Sequence, residues 1–151
     1  MSDEKRIRTS KMLANLLKTN NIVSFIKNNN DNMETRSLTD YLRDLCNEKG
    51  VVQEHIILRS DIDRTYGHQI FRGLHSPSRD KTIQLAFGFG LNVEETQVLL
   101  RHANHNALYP KLKRDAVIIF CLNRNKTVVE TQELLYELEL TILGGKHNEP
   151  D

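Results

Sequence analysis

Apolar residues recur along the chain at spacings of three and four, in runs separated by short polar breaks, and this predicts a string of short helices. Met12, Leu13, Leu16 and Leu17 give a helix over residues 10–18. Ile22, Val23, Phe25 and Ile26 give a second apolar piece over 22–27. The run 28–32, N-N-N-D-N, is a poor helix former and predicts a linker. Ser37 is placed to cap a helix over Leu38–Lys49, with Asp40 in the first turn, where the helix dipole favours a negative charge. Its buried stripe is Leu38, Tyr41, Leu42, Leu45 and Cys46, and Gly50 ends it. A further helix is expected from Gln53 to about Ser60 with Ile56 and Ile57 inward, followed by a tight turn at Asp61 and Ile62. The fold class that follows is all-α.

The stretch 61–80, D-I-D-R-T-Y-G-H-Q-I-F-R-G-L-H-S-P-S-R-D, carries the candidate chemistry. Read as a helix from Arg64 to Arg72, it has two unlike faces. At about 100° per residue, Thr65, His68, Gln69 and Arg72 share one side with Arg64 beside them, and Tyr66 and Ile70 lie on the other. Asp63 suits the N-cap and Gly73 a left-handed end; Ser78 suits the cap of the next helix. A short helix with this outward set suits a DNA major groove. Arg pairs with guanine, Gln with adenine, and Thr touches phosphate or a thymine methyl.

Residues 38–100 resemble the helix-turn-helix domain of the Xre/Cro/phage-repressor family of bacterial transcriptional regulators. The resemblance rests on an ordered set: Gly50, Gln53, the Asp61-Ile62 turn, the Arg64–Gly73 segment, Pro77-Ser78, and the run Gly90-Leu91-Asn92-Val93-Glu94-Glu95. It implies a five-helix domain whose recognition helix enters the major groove while the preceding helix crosses the backbone. It also implies base contacts from Arg64, Thr65, His68 and Gln69, and a phosphate contact from Gln53. Arg72, with His75 in the following loop, would hold backbone as well. At four positions the chain differs from the family pattern. Asp61 stands where the turn usually has Gly, and Gly67 where an aliphatic residue is usual. Val51 and Val52 precede the second helix without a capping side chain, and Phe71 replaces a frequent charged residue.

Beyond residue 100 the chain repeats itself. Arg79, Asp80, Ile83, Leu85, Val93 and the run Glu95–Leu100 (E-T-Q-V-L-L) recur as Arg114, Asp115, Ile118, Phe120, Val128 and Glu130–Leu135 (E-T-Q-E-L-L). Asn92 with Glu95 and Thr127 with Glu130 both have capping-box spacing. Matched Thr-Gln and Arg-Asp pairs are not needed for capping, so the pattern reads as two copies of a helical hairpin. The second, residues 111–143, is expected to stack on the first and extend the helical surface, with Gly144 and Gly145 ending the last helix. Three segments follow: an N-terminal helical arm and linker (1–36), a helix-turn-helix domain (37–103) and a C-terminal hairpin (104–151). The start of the chain and the tail to Asp151 are expected to be frayed. The arm packs on its own domain or on a partner subunit. The helix Lys113–Leu122 is apolar on more than one face, which predicts cover on two sides and a homodimer.

Composition changes this picture little. The 151 residues are 38% hydrophobic and 27% charged, enough for a real core, and the formal net charge is only +1, so charge does not announce a nucleic-acid partner. Cys46 and Cys121 sit in apolar helical patterns and read as reduced core residues of a cytoplasmic protein. M-S-D-E-K-R is no signal peptide, and the longest apolar run, 117–122, is far too short for a bilayer. His102 and His105 lack a Cys or acidic partner for a metal site, no glycine loop suits a phosphate, and no nucleophile motif is present. Gly88-Phe89-Gly90 reads as a helix terminus. The expectation is therefore a regulator without enzymatic activity, metal or cofactor, bound to double-stranded DNA and not to membrane. The other reading is a protein-interaction adaptor that keeps the fold without DNA binding, with the C-terminal hairpin as the contact surface.

Overall fold

The computed structural model describes residues 8–33 and 36–145, and among these every regular element is a helix. The expected frayed start and tail lie outside the described residues, apart from Arg8 and Thr9. The chain divides into two compact units, at residues 1–35 and 36–151. In the first, α1 (Thr9–Lys18) buries none of its side chains, and α2 (Ile22–Asn29) buries Phe25. The asparagine run is not a plain linker. The side chain of Asn21 accepts from Ser24 N at the start of α2, the Asn29 amide donates to the Phe25 carbonyl, and a 3-10 turn continues over Asn30–Asn32. Local side-chain bonds offset the poor propensity of these residues.

The second unit holds α3 (Leu38–Lys49), α4 (Gln53–Arg59), α5 (Arg64–Phe71), α6 (Arg79–Phe89), α7 (Val93–His102), α8 (Lys113–Asn123) and α9 (Val128–Glu137). Ser37, Asp63 and Ser78 accept from the backbone N–H of Asp40, Tyr66 and Lys81, as their side chains predict. Helix α6 is the axis of the unit. Asp80 and every residue from Thr82 to Phe89 are buried, although three of them, Asp80, Thr82 and Gln84, are polar. Thr82 donates to Ser78 O, and Gln84 Nε2 donates to the carbonyls of Ser60 and Asp61, while Gln84 Oε1 accepts no hydrogen bond from the described residues. Gln84 thereby holds the α4–α5 turn from behind. Asp61 takes φ 56° there, a left-handed conformation that Asp tolerates better than most residues.

Two glycines are explained by packing. A Cβ on Gly67 would lie 2.6 Å from Ile57 Cγ2, so α5 closes on α4 where an aliphatic side chain would not fit. Gly88 lies inside α6, not at its end, and faces Ser60 and the Ile56 carbonyl; the terminus is Gly90, at φ 69°. Phe71 is buried, with its ring 6.3 Å from that of Phe89.

The α6–α7 and α8–α9 pairs carry the same bonds 35 residues apart. Both capping boxes are closed in both directions. Gln97 exchanges two bonds with the backbone of Leu108, and Gln132 does the same with Leu143. Asn104 and Glu139 both take a positive φ. The last helix ends at Glu137 and not at Gly144: Leu138 is its C-cap and Glu139 takes φ 60°, as Asn104 takes φ 62° after the equivalent helix of the first copy.

The second hairpin does not simply extend the first. Arg79 forks onto Asp115, with Nη1 and Nη2 at 3.2 and 2.9 Å from its oxygens, and Arg114 forks onto Asp80 at 2.9 and 2.8 Å. A translational stack would supply one of these pairs only. Having both means that each hairpin gives the other what it receives, the signature of a local two-fold. Helix α6 meets α9 as α8 meets α7, which agrees. Two further N–H groups of each guanidinium bond carbonyls, of Asn106 and Ala107 for Arg79 and of Thr141 and Ile142 for Arg114. Cover for α8 also comes from within the unit: Ile118, Cys121 and Leu122 are buried, and the exposed ring of Phe120 lies under the Arg124 guanidinium at 4.1 Å.

Candidate nucleic-acid interface

Helix α5 turns Gly67, Ile70 and Phe71 inward, which fixes what it shows outward. Arg64, Thr65 and Arg72 are exposed, and His68 and Gln69 are half-buried at the edge of the same face. The helix is one residue shorter than expected. Phe71 is its last residue and Arg72 its C-cap, because Gly73 at φ 79° reverses the chain. His75 is not on this face as a free group; its ring stacks on Tyr66 with centroids 5.3 Å apart.

Gln53, Arg64 and His68 are brought together, and Glu54 joins them. Arg64 Nε donates to Glu54 Oε1 at 2.6 Å, and His68 Nε2 meets Glu54 Oε2 at 2.5 Å. The other ring nitrogen of His68 faces Gln53 Nε2 at 2.6 Å. A neutral imidazole with its proton on Nε2 satisfies all of these bonds, accepting from the Gln53 amide and donating to Glu54. The Arg64 guanidinium, then the His68 ring, hold the Glu54 carboxyl below the ordinary carboxylate range. Arg64 meets Glu54 through Nε, so its two terminal nitrogens, the fork that grips phosphate or guanine, stay outside that bond.

Sequence reasoning missed Glu54. The available signal was its place in the first turn of α4 beside Gln53, since the turn between α4 and α5 folds that end of α4 toward α5. The other paired candidates separate. His102 stacks on Tyr41 with centroids 4.1 Å apart, while His105 Nε2 faces the Pro77 carbonyl at 2.8 Å. No group of three or more His, Cys, Asp or Glu suited to a metal occurs among the described residues. Among those residues, too, no helix is long and apolar enough to cross a membrane. Cys46 and Cys121 are free thiols, and burial pushes that of Cys46 up.

Compared with family models, curated proteins and solved structures, the chain matches none.

Proposed function

We propose that this protein is a sequence-specific DNA-binding transcriptional regulator of the Xre-like five-helix type, acting in the cytoplasm as a homodimer. The observation that carries the reading is the division of α5, with Ile70 and Phe71 buried and Arg64, Thr65 and Arg72 exposed on a helix held by a short turn behind α4. Arg64, Thr65, His68 and Gln69 take the base-reading positions. Gln53, Arg72 and, from the loop, His75 face the backbone. A second copy would place a second α5 one DNA turn away, ~34 Å. Selection from random oligonucleotides with the purified protein tests this: an enriched palindrome supports it, and an unenriched pool removes it.

Arg64→Ala and Gln69→Ala are expected to weaken binding to the selected site by about 1–3 kcal/mol each and to relax preference at one base position. Their melting temperatures should stay close to the parent value, because neither side chain is buried. Unchanged affinity in both variants would take α5 out of the reading role.

The adaptor reading draws on one observation as well. Glu54 already occupies Arg64 and His68, and the net charge of +1 adds no general attraction to DNA. In that case the partner is a protein, held by the hairpin α8–α9, where Leu112 and Tyr136 are exposed.

A further inference from the structure

A surface that holds DNA gathers cations, because phosphate repels a carboxylate as strongly as it attracts an ammonium or guanidinium. Glu54 departs from that rule. Its side chain is 48% exposed and that of Arg64 74%. A pair this exposed contributes little to folding, so stability is a weak reason for a carboxylate at this place. What the bonds do instead is offset charge and fix direction. Glu54 Oε1 takes Arg64 Nε, Oε2 takes His68 Nε2, and Gln53 closes the far side of the imidazole. Arg64 is thereby largely neutralised as a point charge but keeps both terminal nitrogens for a fork.

We propose that Glu54 is a specificity-determining residue that suppresses binding to bulk DNA while leaving base readout by Arg64 in place. The proposal rests on the reading of α5 as the DNA-facing helix. Bulk DNA offers phosphates in every register, and what it asks of a protein is positive charge. Glu54 removes that charge where α4 and α5 meet and repels any phosphate that comes near. A guanine edge offers something else, two acceptors at fixed spacing, which the oriented Arg64 fork still meets. The residue lowers affinity for all sequences and lowers it least for the right one.

The test is fluorescence anisotropy with a labelled duplex of mixed sequence at low salt. It compares the full chain, Glu54→Gln, Glu137→Gln and the double variant Glu54→Gln with Arg64→Ala. Glu137 is an exposed acid at the end of α9 and reports the effect of net charge alone. Melting curves run beside the titrations and show whether each variant keeps its fold. Glu54→Gln should bind the mixed duplex about tenfold tighter, with a salt slope steeper by roughly 0.9 as Arg64 neutralises one more phosphate. Glu137→Gln should change affinity by about twofold at most, because distant exposed charges are screened. The double variant should lose the gain. If the full chain binds and Glu54→Gln is no tighter than Glu137→Gln, the role of Glu54 is overturned and the DNA reading stands. A gain that survives in the double variant overturns the role assigned to Arg64 in it. If none of the four proteins binds the duplex, the DNA reading falls, and the inference with it.

Discussion

Asp80→Ala is expected to lower the free energy of unfolding by about 3–5 kcal/mol, the range for removing one partner of a buried ion pair. Asp80 is 1% exposed and accepts from both terminal nitrogens of the Arg114 guanidinium and from Gly144 N at 2.9 Å. The alanine leaves a guanidinium that is itself mostly buried, with two carbonyls and no counter-charge, and orphans a backbone N–H. Asp115→Ala should cost nearly the same. Asp115 is 3% exposed and accepts from Arg79 and from Tyr109 N, the position 35 residues before Gly144. Neutralising the pair together is a different case. Asp80→Leu with Arg114→Met removes both charges, so it should recover much of the loss. Urea unfolding of the three variants checks all of this. Losses below about 1 kcal/mol for both aspartates would show that the reciprocal pair is peripheral to the fold.

These pairs mark the limit of what the sequence discloses. The spacing of 35 was legible because hairpin capping, the Thr-Gln pair and the Arg-Asp pair all recur in register. The relation between the copies was not, because equal spacing fits a translation as well as a two-fold. The choice is made by partner: Arg79 with Asp115 and Arg114 with Asp80, not one of them alone. Helix starts were read correctly wherever a side chain makes the cap, at Ser37, Asp63, Ser78, Asn92 and Thr127. The last stop was misread, since Gly144 looks like a terminator but lies seven residues past the helix end, next to Leu143, which Gln132 holds. Gly67 looked like a lost core contact when read along one helix, and its reason, the nearness of Ile57, belongs to another. For the candidate site, periodicity separated the outward from the inward residues of α5. It gave no sign of Glu54, whose importance comes from α4 meeting α5 across a turn.

Gly88→Ala is expected to destabilise the protein by about 1–3 kcal/mol or more, even though alanine is the better helix former. Two effects oppose each other. Inside a helix the exchange of Gly for Ala is favourable by roughly 0.5–1 kcal/mol, through lower entropy in the unfolded chain and better propensity. Against this, the added Cβ would sit 2.0 Å from Ser60 Oγ and 2.8 Å from the Ile56 carbonyl oxygen. The hydroxyl is fully buried and donates to that same carbonyl at 2.6 Å, so turning it away sacrifices a buried bond. The carbonyl belongs to the backbone of α4 and moves only if the helix moves. Sterics should win because the nearest obstacle includes main chain, and α6 would have to withdraw from α4. Ser60→Gly combined with Gly88→Ala removes the first clash and keeps the second, so only partial rescue is expected. Gly67→Ala should cost less, since what it meets at 2.6 and 2.9 Å is side chain, Cγ2 and Cγ1 of Ile57, and no main-chain atom. Chemical denaturation of the three variants orders them. A Gly88→Ala protein as stable as the parent would mean that α4 and α6 are not held at this distance, and that the α4–α5 turn is not seated as described.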